Sequence, residues 1–279
     1  MIHIIADSTF GVPKSFAESN GIKIVNLKLI LDDKITEEGF EENYEEFYLR
    51  LKNSKSFPST SQPSPEDFVD KINEVYAEDS EAEIIILTIS QALSGTINSA
   101  TLAVKEFEGK KIVAIDSAQA ATCGRIMVEE IVDLIKAGRS FDEIVNKASP
   151  VLKENLEIQF VPETMEYLKR GGRIGKLSAT LASILKIKPV FSFKNGMISI
   201  KKKVLGIGKA ISDMISLLPQ KLKKLYVCYI YDDTNVDTIK RKLEQSNIKY
   251  DGVVNVTPVF GSHVGIGAIG LASLQEYNI

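Results

Sequence analysis

Two uninterrupted apolar runs, Ile84-Ile85-Ile86-Leu87 and Ile112-Val113-Ala114-Ile115, constrain this chain more than any other feature. A strand with one wet face alternates apolar and polar residues, and these runs do not alternate. They predict strands covered on both faces, as in a parallel sheet packed between helices. The stretch from Ile84 to Ile89 is far too short to span a bilayer. The first half of the chain predicts strands at Ile2–Ala6, Ile22–Leu31, Glu83–Ile89 and Lys111–Ile115. Helical stretches fall at Pro13–Asn20, Asn43–Asn53, Pro65–Tyr76, Gly95–Phe107 and Ala118–Ala137. Ser64-Pro65-Glu66-Asp67 supplies a cap, an N1 proline and an acidic N3 in order. Gly138 ends a long helix, and Ser140-Phe141-Asp142-Glu143 caps the next. Strands spaced by helices read as parallel βαβ units.

The second half has a different rhythm. Leu156–Val161 reads as a strand and Glu163–Arg170 as a short helix. Lys188–Phe193 and Met197–Lys201 flank Asn195-Gly196, a strong hairpin signal. Ile207–Leu218 and Asn235–Gln245 read as helices, with strands at Leu225–Ile230 and Gly252–Val256. A hairpin among helices predicts a mixed or antiparallel sheet. The expectation is therefore two α/β domains, residues 1–155 around a mainly parallel sheet and residues 156–279 around a mixed or antiparallel one. A chain of 279 residues accommodates two domains of ordinary size.

Composition narrows the function classes. Net charge is −3 with both signs interspersed, which gives no nucleic-acid or membrane-surface footprint. Cys123 and Cys228 are far apart in sequence and form no metal or redox motif. The start, Ile2-His3-Ile4-Ile5-Ala6 running into Asp7-Ser8, reads as a short buried strand and not a signal peptide, with His3 in the core. A cytoplasmic protein is expected.

Three separated loops carry small hydroxyl residues: Thr60-Ser61-Gln62-Pro63-Ser64-Pro65, Leu93-Ser94-Gly95-Thr96 and Gly261-Ser262-His263. At strand ends or helix starts, free backbone N–H groups and hydroxyls together can cradle a carboxylate or phosphate. Each has a plainer explanation: Ser94 as an N-cap, the Thr60 loop as a turn held by two prolines. His263 lies among Gly261, Gly265 and Gly267, which predicts a tight glycine loop with an accessible ring. Gly265-Ile266-Gly267-Ala268-Ile269-Gly270 matches the dinucleotide fingerprint in letters only, because the helix, strand and acidic residue that the motif needs do not follow. Arg170-Gly171-Gly172-Arg173-Ile174-Gly175-Lys176-Leu177 likewise fails as a phosphate loop, since Arg170 and Leu177 stand at two required positions. Arg170 and Arg173 then serve an anion, a partner or only a helix end. Asp7-Ser8 and Asp116-Ser117 end probable parallel strands, the edge where open α/β sheets bind ligands or cap the next helix. A hydrolase built on Ser94, His263 and Asp116 is the rival reading, although the chain lacks G-x-S-x-G.

Taken together and in order, these segments resemble the DegV family of bacterial fatty-acid-binding proteins. The resemblance runs through Asp7-Ser8-Thr9, the Thr60–Pro65 loop, Leu93-Ser94-Gly95-Thr96 with Asn98-Ser99-Ala100, and Asp116-Ser117. It continues through Glu166–Gly175, Lys188-Pro189 and Gly261-Ser262-His263-Val264-Gly265. It implies two α/β domains with a long-chain fatty acid in a slot at their interface and no cofactor or metal. The carboxylate would be held by Thr60, Ser61, Ser94, Gly95 and Thr96, with His263 nearby. It also implies a separate fatty acid kinase as partner, acyl-phosphate delivery to phospholipid synthesis, and room for transient membrane contact. Arg170, Arg173 and Lys203 are the candidate partner or anion contacts. Many members carry an arginine after the hairpin; here Lys201 to Lys209 contains none, so a lysine must take any such contact. Ile266 stands where a proline is common. Apolar residues Leu93, Leu177, Leu181, Ile184 and Phe191 are candidate walls for the acyl chain.

Overall fold

The run Ile84–Leu87 lies wholly out of water, in a strand with neighbours on both edges. The computed structural model describes residues 1–173 and 187–279. Strands of the first half are β1 (Ile2–Asp7), β2 (Lys23–Val25), β3 (Lys28–Leu31), β4 (Lys34–Glu37), β5 (Ser59–Ser61), β6 (Glu83–Thr88) and β7 (Ile112–Asp116). Between them run helices α1 (Lys14–Ser19), α2 (Tyr44–Asn53), α3 (Pro65–Glu78) and α4 (Thr96–Val104). Helices α5 (Thr122–Lys136), α6 (Phe141–Glu143) and α7 (Ser149–Asn155) follow β7. The second half begins with β8 (Leu156–Val161), α8 (Glu166–Arg170), β9 (Ile187–Lys194), β10 (Met197–Leu205) and α9 (Ile207–Ser216). It ends with β11 (Leu222–Tyr229), α10 (Val236–Gln245), β12 (Gly252–Asn255), α11 (Pro258–Val264) and β13 (Ile269–Gln275).

The first sheet is parallel throughout, in the order β2-β1-β6-β7. Ile112, Val113 and Ala114 are only half-buried, less than their composition predicts, because β7 is the edge strand. The single strand expected at Ile22–Leu31 is two. The chain breaks at Asn26-Leu27; β2 joins the parallel sheet, while β3 leaves it for a small antiparallel sheet, β4-β3-β5. Its β3–β4 turn, Asp32-Asp33, holds both residues at positive φ, 52° and 58°. That is the twist a two-residue hairpin demands, here met by aspartates instead of Asn-Gly.

The second sheet has six strands, β10-β9-β8-β13-β11-β12. All its pairs are antiparallel except β11–β12, so the predicted mixed sheet is present. Asn195-Gly196 turns β9 into β10 with φ of 52° and 74°. Helix α5 starts at Thr122 and not at Ala118, because Ala118 and Ala121 hold φ of 53° and 50° in the preceding loop. It packs both on β8, β11 and β13 and on the Ser8–Phe10 turn. Gly124 permits that contact: a Cβ there would fall 1.9 Å from the Phe10 ring. Glu129 meets Lys224 at 2.8 Å and Glu130 meets Lys223 at 2.5 Å, tying α5 to β11. His3, expected in the core, is half-buried and sits 3.2 Å from Asp79. No helix among the described residues is long and apolar enough to cross a membrane.

Candidate functional site

The strand order reverses between β1 and β6, since the chain proceeds from β1 to β2 on one side and from β6 to β7 on the other. A crevice opens at the carboxyl ends of such a strand pair. Here it is a cleft lined by residues of both halves of the chain. Thr9 follows β1 into its wall, and Ile89, Leu93 and Ser94 follow β6. Thr60 enters from β5, opposite Leu29 in the small sheet. Val259, Phe260 and His263 complete it from α11. Three chain regions that sequence placed apart therefore meet in one place.

Thr60 Oγ1 and His263 Nε2 lie 2.8 Å apart. His263 sits in the last turn of α11, not in a glycine loop, and its ring is largely buried. The expected loop is a helix because Thr257 caps it and Pro258 opens it; the glycines follow the helix end, where Gly265 has φ of 93°. Burial, with Arg173 adding to it, pushes the imidazole down to about 4, so it is neutral at ordinary pH. Its Nδ1 is buried without a partner among the described residues and faces Gly171, where a Cβ would stand 2.6 Å away. A buried orphan N–H is rarer and costlier than a bare acceptor. With no acceptor for Nδ1 among the described residues, the favoured tautomer carries its proton on Nε2 and donates it to Thr60 Oγ1. The Thr60 hydroxyl is thus free to turn its own proton toward the cleft.

Ser94 is not the helix cap that its sequence context suggested; Gly95 occupies that position without a side-chain bond. Ser94 Oγ instead lies 2.9 Å from the buried Thr96 Oγ1, which supports it from behind the cleft wall. Gly95 is needed because Gln62 packs on it: a Cβ would fall 2.2 Å from Gln62 Oε1. Ser61 alternates to the exposed side of β5, where its hydroxyl donates to the Gln62 carbonyl. Thr60, Ser94 and His263 line the cleft; Ser61, Gly95 and Thr96 do not. Arg173 does, at the rim, with its guanidinium bonded to the Gly171 carbonyl at 2.5 Å. Arg170 is occupied elsewhere, 3.9 Å over the Phe57 ring and 3.0 Å from Glu166. Lys203 lies on the edge strand β10 opposite Pro189, outside the cleft.

Two buried carboxyls stand behind the wall. Asp7 accepts from the Thr9 backbone at 3.0 Å, the Thr9 hydroxyl at 2.5 Å and the Ile89 backbone at 2.6 Å. Glu38 accepts from the Val259 backbone at 2.5 Å and the Ser8 hydroxyl at 2.6 Å. Desolvation raises both, Asp7 to about 6 and Glu38 to about 7, against the pull of those donors. Glu38 escaped the sequence reading because its donors lie 30 and 221 positions away, beyond any local pattern.

A narrow apolar pocket lies beside the cleft, with Phe260 in the lining of both. Ile158, Phe160, Val256, Val264 and Ala268 face it, together with the buried thiol of Cys228. Phe191 is not a wall but stacks behind Phe160 at 5.4 Å between ring centres. Leu93 lines the cleft. Leu177, Leu181 and Ile184, with the Ile174–Leu177 part of the arginine-glycine segment, lie outside the described residues.

The hydrolase arrangement is not assembled. Asp116 Oδ1 accepts from the Gln91 and Ala118 backbones at 3.1 and 2.9 Å, and His263 pairs with Thr60 instead of Ser94. A triad needs its acid on the second ring nitrogen, which has no partner among the described residues. No group of three or more His, Cys, Asp or Glu side chains suited to a metal occurs among the described residues.

Comparison with known proteins places this architecture. A fatty acid-binding protein of Thermotoga maritima is 30% identical over 96% of both chains. The solved DegV family protein of Thermus thermophilus, described for its fatty acid binding, superposes with a TM-score of 0.89 at 29% identity, covering 99% of each chain. A stearic acid-binding protein of Eubacterium ventriosum has a TM-score of 0.85 at 26% identity, over 99% of this chain and 98% of that one. The DegV family model itself matches residues 1–276. With that extent of match, the chain belongs to the DegV family.

Proposed function

We propose that this protein binds one long-chain fatty acid, with the carboxylate at Thr60 and Ser94 and the acyl chain running past Phe260 into the apolar cavity. The observation that carries the reading is the junction of two unlike spaces. A cleft lined by hydroxyls and the neutral His263 shares Phe260 with a pocket walled mostly by apolar side chains, together with Tyr229 and the Cys228 thiol. An amphiphile with one polar end fits both. The relatives that bind fatty acids share the fold over nearly the whole chain. Each buried CH₂ contributes about 0.8 kcal/mol, so roughly sixteen carbons supply on the order of 12 kcal/mol as an upper bound. The hydroxyls orient the anion and keep it from being buried without donors. Arg173 at the rim adds a charge-assisted donor.

In this reading the protein is a carrier in the cytoplasm. It presents the carboxyl end to a fatty acid kinase, which forms the acyl phosphate used in phospholipid synthesis. The rim with Arg173, and Lys203 on the exposed edge of β10, are the surfaces offered to that partner. Calorimetric titration with a saturated C16 acid and with its methyl ester tests the binding claim. The acid should bind, and the ester should bind more weakly because it lacks the anion. Equal affinities would place the head group outside the cleft, and no uptake of either would overturn the reading.

A further inference from the structure

Four residues that line the cleft hang on two carboxyls that do not line it. Thr9 and Ile89 donate their backbone N–H groups to Asp7, and Val259 donates to Glu38. Leu27 donates at 3.0 Å to Ser8 Oγ, whose proton goes to Glu38. Both acids are out of water, at 0% and 1% exposure, and neither has a cationic partner within an ion-pair distance among the described residues. Bearing on Glu38 from other elements are the buried phenols of Tyr44 and Tyr48 on α2 and the Thr257 hydroxyl, with Asp7 as the neighbouring acid. Glu41 and Glu42 bear on Tyr44, as does Arg125 of α5, whose own ion pair is to Glu129. The wall of the cleft is thus backed by two carboxyls, and the cation that lines the cleft among the described residues is Arg173 at its rim.

We propose that Asp7 and Glu38 are proton-accepting positioning residues: entry of an anionic ligand head group into the cleft is coupled to uptake of one proton by this carboxyl pair. The inference rests on the fatty-acid reading above and adds its proton linkage. A carboxylate held at Thr60 and Ser94 adds a third negative charge in the cleft that Thr9 also lines, against two acids buried out of water, where repulsion is weakly screened. Protonating one of the two acids removes it, and the proton comes from solvent. Glu38, raised to about 7, and Asp7, raised to about 6, are within reach of such a proton near neutrality. The hydrogen-bond frame survives the change. A protonated Glu38 Oε2 can donate to Ser8 Oγ, which has a second lone pair for Leu27 and a hydroxyl proton free to rotate.

The test is calorimetry of the whole protein with dodecanoate near pH 7, in phosphate and in Tris, whose ionisation heats differ. Coupling predicts uptake of up to about one proton per ligand, reduced by at least half in Glu38→Gln, and no uptake with methyl dodecanoate. Affinity for the acid should fall about three- to tenfold between about pH 6 and pH 8, above the ligand's own titration. Heats independent of buffer would overturn the coupling. So would uptake that Glu38→Gln and Asp7→Asn leave intact, since the ligand would then hold the proton itself. If those variants fail to fold, ¹³C-carboxyl NMR of labelled ligand on the unaltered protein decides. An ionised bound carboxylate together with proton uptake supports the proposal, and a protonated one overturns it. Failure to bind acid or ester sinks the fatty-acid reading, whereas binding without uptake sinks the coupling alone.

Discussion

On the proposed reading, the single hydrogen bond between His263 and Thr60 decides how the head group is held. Thr60→Ala removes the hydroxyl that receives the His263 proton, and Ser94→Ala removes the one braced by Thr96. Each should weaken fatty-acid binding by about 1–3 kcal/mol, the cost of leaving a charged acceptor short of one donor. Titration of both variants with acid and ester checks this; both should discriminate less between the two than the parent. Unchanged discrimination would move the carboxylate toward Arg173. His263 itself makes a second prediction. With its folded value lowered to about 4 from 6.5, the unfolded chain holds more protons between those values. His263 therefore favours folding above about pH 6.5, and that advantage is lost as pH falls toward 4. Its ring resonances should stay in the neutral form down to about pH 5 in an NMR titration. A midpoint above pH 6 would contradict a buried ring without an acidic partner among the described residues.

At the scale of elements, α11 and the small antiparallel sheet form the cleft, and they were the least legible parts of the sequence. The parallel strands declared themselves through non-alternating apolar runs, and Asn195-Gly196 through turn chemistry. Ser64 with Asp67 forms the capping box its spacing announced, with both bonds present. The β3–β4 hairpin hid behind Asp32-Asp33, which carries positive φ without a glycine to signal it. Strand β13 hid inside a glycine-rich run; Gly270 is there because a Cβ would meet the Gln159 carbonyl at 2.6 Å across the sheet. Helix α11 hid for the same reason, since glycines read as loop. Gly261 in fact lets α11 lie on Tyr48, whose hydroxyl would be 2.4 Å from an added Cβ. Tyr48 is itself fixed, fully buried and donating to the Val256 carbonyl at 2.7 Å. Gly261→Ala should therefore cost about 1–3 kcal/mol by overpacking, seen as a lower denaturation midpoint; an unchanged midpoint would mean that α11 is not held there. The carboxyls behind the wall act in the opposite sense to His263. Asp7 and Glu38 are raised from 3.8 and 4.5 to about 6 and 7, so the folded state holds the extra protons in that window. Their contribution to stability falls as pH rises from about 4 to 7, on the order of a few kcal/mol together. Thermal melts across that range should show a flatter decline in Glu38→Gln than in the parent.

Over the whole molecule, the two sheets do different work. The parallel sheet and its switch point border the hydroxyl-lined cleft. The six-stranded sheet, with Ile158 and Phe160 on β8 and Ala268 before β13, borders the apolar pocket. Helix α5 holds the two together, through Gly124 against Phe10 on one side and the glutamate–lysine pairs with β11 on the other. If the cavity beyond Phe260 takes the acyl tail, filling it should shorten the preferred chain. Ala268→Leu is expected to lower affinity for C18 acids more than for C12 acids, in competition binding; an equal loss for both would place the tail elsewhere. The central claim, that one fatty acid occupies this joined polar and apolar space, meets its most direct test in native mass spectrometry of freshly purified protein followed by lipid extraction. The account predicts one long-chain fatty acid per chain, released on denaturation. Protein that is empty, and stays empty when long-chain fatty acid is offered, would contradict it.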